Sequence, residues 1–239
     1  MPITRTCAVE ARKLVNTRTN LVLTGVAAVL AGVFGGGRAL LATPDTDFGQ
    51  VAMMAVLPVG MVVLVMAILL VAHEFSSRTA PVTFTLEPRR GRVVAAKALV
   101  VVALAVVATL LAFVAAALVT LVAPAITGQA LPWTFAADRL ALILASTVFS
   151  GLAGFALALA LRNAPAPIVF LLVWPTVAML VGTLSDTAAH VVSFLSVDPM
   201  PYVFLSTDGL GWARVAAAAL LWVVIPAAIG TGRLLRLDI

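Results

Sequence analysis

The sequence predicts an all-α integral membrane protein with six transmembrane helices, and three observations predict it. The 239 residues are 63% hydrophobic and only 10% charged, where soluble domains carry about 25% charge. Six apolar stretches, at 19–41, 51–72, 94–122, 139–161, 165–184 and 211–232, are long enough or nearly so to cross roughly 30 Å of hydrocarbon, which takes about 20 helical residues. The charges are also asymmetric. With both termini inside, only Arg38, Arg139 and Arg214 of the 15 basic residues face outward, whereas Asp45, Asp47, Asp138, Asp186, Asp198 and Asp208 gather there. Lys and Arg in cytoplasmic loops orient membrane proteins, so the expected topology is N-in/C-in. The same asymmetry accounts for the basic pI of about 10.7 with no nucleic acid partner.

Residues 1–18 read as an N-terminal interfacial segment, amphipathic and lying on the membrane surface. Glu10, Arg12, Lys13 and Arg18 interrupt it, which argues against a cleavable signal peptide. Residues 19–239 form the six-span membrane domain. In the first span Ala28, Gly32 and Gly36 recur every four residues and place small side chains on one helical face, as a contact within the monomer or as a dimer seam. Span four repeats the pattern with Ser146, Ser150, Gly154 and Ala158. In span five Pro165, Pro167 and Pro175 crowd the start and middle, where proline removes a backbone hydrogen bond and bends the axis. Residues 185–210 are too apolar for a solvated loop and too broken to span, so they predict helices that dip into the outer leaflet and return, a re-entrant outer segment.

Several chemistries find no support in the residues. A rhomboid-type protease needs Gly-x-Ser-Gly and a helical His; here Val148 stands where the glycine should precede Ser150, and His190 falls in the broken outer segment. His73 and His190 are predicted on opposite sides and Cys7 is the only cysteine, so no metal site is expected and no disulfide can form within the chain. Gly35-Gly36-Gly37 lacks the Lys-Ser/Thr of a phosphate-binding loop. No acid, His or Lys is placed in mid-span, where a coupling group is costly and kept for function; Lys97 is expected to snorkel to the interface. A carbonyl-and-hydroxyl Na⁺ site stays open, and with it ion-coupled secondary transport as an alternative to the reading below.

The one substantial polar insert is His73 to Lys97. Thr79 is a candidate N-cap and Pro81 fits a first turn. Val82 and Leu86 share one face, and Pro88 stops the helix before Arg89, Arg90 and Arg92. Glu74 and Arg78 stand one turn apart, placed to clamp the elbow. The arginines also suit lipid phosphates. A short helix of this kind, tethered to two spans, fits a groove on another protein.

Glu74, Thr79, Leu86, Pro88, Arg89, Ala96 and Lys97 resemble the cytoplasmic elbow of type-2 ABC transporter permeases, the membrane subunits of bacterial ABC exporters. Ser77 or Arg78 stands where many relatives have a glycine before the Thr. The resemblance is motif-level over about 25 residues and architectural elsewhere. It implies a cytoplasmic coupling helix between spans two and three, with Glu74, Arg78, Thr79, Val82, Leu86, Pro88, Arg89 and Arg90 contacting an ATPase. It further implies two copies of an ABC ATP-binding subunit and a second permease subunit, identical or homologous, together with membrane lipid. ATP and Mg would sit on the partner, none bound by this chain, which would not itself be an enzyme. The path would run between the two halves, lined by spans one, two and five. The expected activity is export of a hydrophobic or amphipathic substrate such as a drug, lipid or peptide across a bacterial cytoplasmic membrane; an intramembrane enzyme is the remaining alternative.

Overall fold

A computed structural model describes residues 3–43, 45–76, 90–135, 137–205 and 208–235, and among them every regular element is helical. Helix α1 (Ile3–Asn16) precedes α2 (Arg18–Leu40), α3 (Phe48–Ser76), α4 (Arg90–Thr127), α5 (Ala137–Leu161) and α6 (Pro165–Gly182). Two short helices, α7 (Asp186–Phe194) and α8 (Pro201–Leu205), lead to α9 (Gly211–Ala219), a π-helical turn (Leu220–Val224) and α10 (Ile225–Leu235). Six helices are long and apolar enough to cross a membrane: Arg18–Leu40, Phe48–His73, Gly91–Thr127, Arg139–Leu161, Pro165–Gly182 and Gly211–Leu234. The expected spans all fall on these. Helices α3 and α4 overrun their apolar runs at both ends, since a helix continues wherever its backbone bonds stay satisfied, whereas α6 stops at Gly182, two residues short.

Helix α3 is the hub. Of its most apolar stretch 67% is buried, against 11% for α6, and it packs on α2, α4 and α5. Small residues make the close approaches. A Cβ on Gly154 would meet the Leu64 carbonyl oxygen at 2.8 Å, and one on Gly151 would meet Val101 at 3.0 Å, so the small face of α5 packs within the monomer. Beyond Asn20 near its start, the buried positions of α2 are Ala31, Gly35 and Ala39, one residue away from the expected face. Gly32 and Gly36 have open space beside them, and Ala28 lines a recess of about 180 Å³ between α2, α3 and α4.

One end of the bundle carries α1, the ends of α3, α5 and α10, and the start of α4. Here the Arg233 guanidinium donates to the Ala160 carbonyl at 2.9 Å. At the opposite end the Phe48 N–H donates to Pro132 O at 2.9 Å, and Phe48, Phe113, Trp133 and Phe135 form a cluster of edge and stacked rings. The π turn is placed just before Pro226, whose missing N–H deprives Trp222 O of its usual partner. The Ile225 N–H bonds instead to Leu220 O. That widened turn presents Trp222, which is 5% exposed.

Candidate functional site

Of the expected coupling residues, Arg78, Thr79, Val82, Leu86, Pro88 and Arg89 lie outside the described residues, as do the side chains of Glu74 and Arg90. The structure does describe the two helices that the insert joins. They are α3 and α4, which pack directly on each other.

Next to the insert, α1 is tied to the bundle by a buried ion pair. Its apolar stripe runs through Cys7, Glu10 and Leu14, one face of a helix at 3.6 residues per turn. Glu10 is 2% exposed. Its carboxylate accepts from Lys97 Nζ at 2.5 Å and from Lys13 Nζ at 2.7 Å. Lys97 also donates to the Leu70 carbonyl at 3.2 Å, so one ammonium joins α1, α3 and α4. Lys97 therefore does not snorkel: it is 3% exposed, because a carboxylate from α1 covers it and removes the reason to reach for water. An acid inside the apolar stripe of an amphipathic helix is the sequence signal that points to such a partner.

At the opposite end a second polar cluster fixes the segment between α6 and α9. Arg214, 4% exposed, forms a two-pronged pair with Asp208, Nη1 to Oδ1 at 2.9 Å and Nη2 to Oδ2 at 2.5 Å. Its Nε donates to Ser193 Oγ at 2.7 Å, and its charge lies over the Phe194 and Tyr202 rings at 5.2 and 5.4 Å. Two planar bonds plus aromatic faces are the surroundings in which a buried guanidinium is stable. The indoles of Trp174 and Trp222 both donate to the Leu195 carbonyl, at 2.8 and 3.2 Å. The segment between α6 and α9 is thereby stapled to α6 and to the π turn. His190, in the segment expected to hold short broken helices, sits on α7 and packs edge-on against Phe194.

Between α3, α5, α6 and this segment lies a cavity of about 490 Å³. Met61, Leu64 and Leu171 supply apolar wall, while Ser146, Thr147, Ser150 and Thr176 supply hydroxyls. Asp198 lines it at the end formed by the segment between α6 and α9. The residue keeps solvent access on one side, but the protein crowded around the rest of the carboxyl raises its pKa above the usual carboxylate range; the neighbouring Ser146 hydroxyl and Met200 N–H oppose the rise. This is a mainly apolar chamber with a few convergent polar groups, the usual make-up of a small-molecule site. Sequence reasoning singled out Ser150 and Pro175 only as packing and bending residues; both line the chamber. Among the described residues no cluster of His, Cys, Asp or Glu is arranged to hold a metal ion.

The composition and the six apolar helices define an all-helical, multi-pass membrane architecture. No protein-family model and no curated protein matches the chain, so what it does rests on the insert, the chamber and the two polar clusters.

Proposed function

We propose that this chain is the membrane subunit of an ATP-driven ABC exporter in a bacterial cytoplasmic membrane, with N-in/C-in topology and residues 77–89 facing the cytoplasm. The observation that carries this reading is where the basic insert is attached. It joins the hub helix α3 to α4, and the first turns of α4 are held to α1 and α3 by Lys97. A push on the insert is thus delivered to the most buried helix of the bundle, which is what a coupling element requires. The ATPase would be a separate subunit in two copies, and a second permease subunit would complete the pathway. Gly32 and Gly36, with open space beside them in the monomer, are available for that contact. The chamber bounded by α3, α5 and α6 suits an apolar or amphipathic cargo.

The test is co-purification with an ATPase carrying nucleotide-binding motifs, followed by ATPase assays in nanodiscs. Glu74→Ala combined with Arg89→Ala is expected to lower permease-stimulated hydrolysis while membrane insertion is retained. Stimulation equal to wild type would remove the insert from the coupling role.

A second reading, proton-coupled transport, is favoured by Asp198 alone, an acid with a raised pKa facing a cavity. It predicts transport that persists without any ATPase, collapses with the proton gradient and is lost in Asp198→Asn.

A further inference from the structure

We infer that the groove between α1, α2 and α3 is a binding site for the phosphate headgroup of an anionic phospholipid. The groove has a volume of about 660 Å³ and is lined by Arg12, Lys13, Thr19 and Asn20 on its polar side and by Val9 and Leu69 on its apolar side. It lies at the amino end of α2, a 23-residue helix. The first amides of any α-helix lack intrahelical acceptors, and together with the helix dipole they favour an anion. In this helix no side chain caps them: the Thr17 hydroxyl, at the N-cap position, donates backward to Lys13 O at 2.6 Å.

A separate observation points the same way. Asn20 is 6% exposed and lines the groove, yet its side-chain amide makes no hydrogen bond among the described residues. It is the main-chain carbonyl, not the side chain, that accepts from Thr24 Oγ1 at 2.8 Å. The side chain is thus almost wholly enclosed, its amide has no protein partner among those residues, and the groove it lines is where a partner can reach it. A phosphate oxygen in the groove supplies the missing acceptor. Arg12 contributes the charge. It makes no ion pair among the described residues, whereas the Lys13 ammonium is already shared with Glu10.

A lipid headgroup fits better than a free anion because of what adjoins the groove. Leu21 and Val22, the next residues of α2, are 56% and 64% exposed, so apolar helix surface begins one turn from the phosphate position. Acyl chains attached to the bound phosphate run directly onto it. The site does not depend on the transport role proposed above.

The experiment is native mass spectrometry of the full chain, delipidated in neutral detergent and offered phosphatidylglycerol and phosphatidylcholine in equal amount. Retention of one phosphatidylglycerol per chain with roughly tenfold preference is expected, unaffected by excess inorganic phosphate. Arg12→Gln, at an exposed position that the fold does not need, and Asn20→Leu are each expected to reduce the preference several-fold, and together to abolish it. Arg12→Lys is expected to retain part of it. Equal binding of the two lipids, or an unchanged preference in Arg12→Gln, would overturn the assignment. Displacement of phosphatidylglycerol by inorganic phosphate would show a free-anion site and equally refute a lipid one.

Discussion

Removing the Glu10 carboxylate should release α1 from the bundle, and the chain carries its own reporter of that event. Glu10→Gln removes the negative charge that faces the Lys97 ammonium, 3% exposed, at 2.5 Å. Breaking a buried pair from one side costs about 3–5 kcal/mol, because an uncompensated charge stays behind. The loss falls on the docked state of α1, since an undocked helix exposes both groups to water. A penalty of about 3 kcal/mol shifts the docking equilibrium by a factor of roughly 100 or more. Cys7, the only cysteine, lies on the same stripe of α1, with its sulfur 3.9 Å from Ala96 O. Maleimide labelling through local opening is then expected to accelerate by about that factor. The paired change Glu10→Leu with Lys97→Met puts apolar groups of similar size on both sides, and such replacements are often neutral; it is expected to restore slow labelling. A wild-type labelling rate in Glu10→Gln would refute the buried pair as the tether. So would a double variant that labels as fast as the single one.

Other perturbations separate packing, polarity and titration. Gly230→Ala places a Cβ 2.7 Å from the Leu159 carbonyl carbon, a backbone clash expected to cost about 1–3 kcal/mol in thermal or denaturant unfolding in detergent. A Cβ at Gly32 or Gly36 has nothing within 4 Å among the described residues; for Gly32→Leu and Gly36→Leu, unchanged monomer stability with loss of self-association in crosslinking is expected if this face is the dimer seam. Thr109, fully buried in α4, has a hydroxyl with no partner among the described residues, so Thr109→Val is expected to be neutral or stabilising by about 1 kcal/mol in the same unfolding assay. Asp198 has a raised pKa in the folded state, so its ionised form opposes folding above that pKa, and the penalty disappears as pH falls toward the unfolded value of about 3.9. Asp198→Asn is therefore expected to raise Tm at pH 7 to 8, with a gain that shrinks on acidification; a gain independent of pH would contradict this.

Much of the helical plan was legible because a bilayer imposes a simple length rule on apolar runs. The faces those helices use were less so. Ala28, Gly32 and Gly36 satisfy the small-residue spacing, but Ala31, Gly35 and Ala39, with the same spacing one residue over, make the contact with α3. Spacing along one helix identifies possible seams and cannot choose between them, since the choice depends on where Val51 and Ala55 of the neighbour fall. Lys97 was misplaced for a related reason. Its position near a helix end suits snorkelling, and only the docking of α1, 87 residues earlier, turns it inward.

From the sequence alone came the multi-pass membrane character, the number of membrane-compatible helices, the polar character of the insert and the interruption of the connection before the last of them. These are sums over local composition, and hydrocarbon thickness and backbone hydrogen bonding act on them without reference to the rest of the fold. Tertiary structure decided that α3 is the hub and that Glu10 and Lys97 meet. It likewise brought Trp174 and Trp222 to one carbonyl and placed Ser146, Ser150 and Asp198 around one chamber. Those arrangements join residues far apart in the chain, and short-range hydrogen bonds and side-chain contacts form only after the helices have packed.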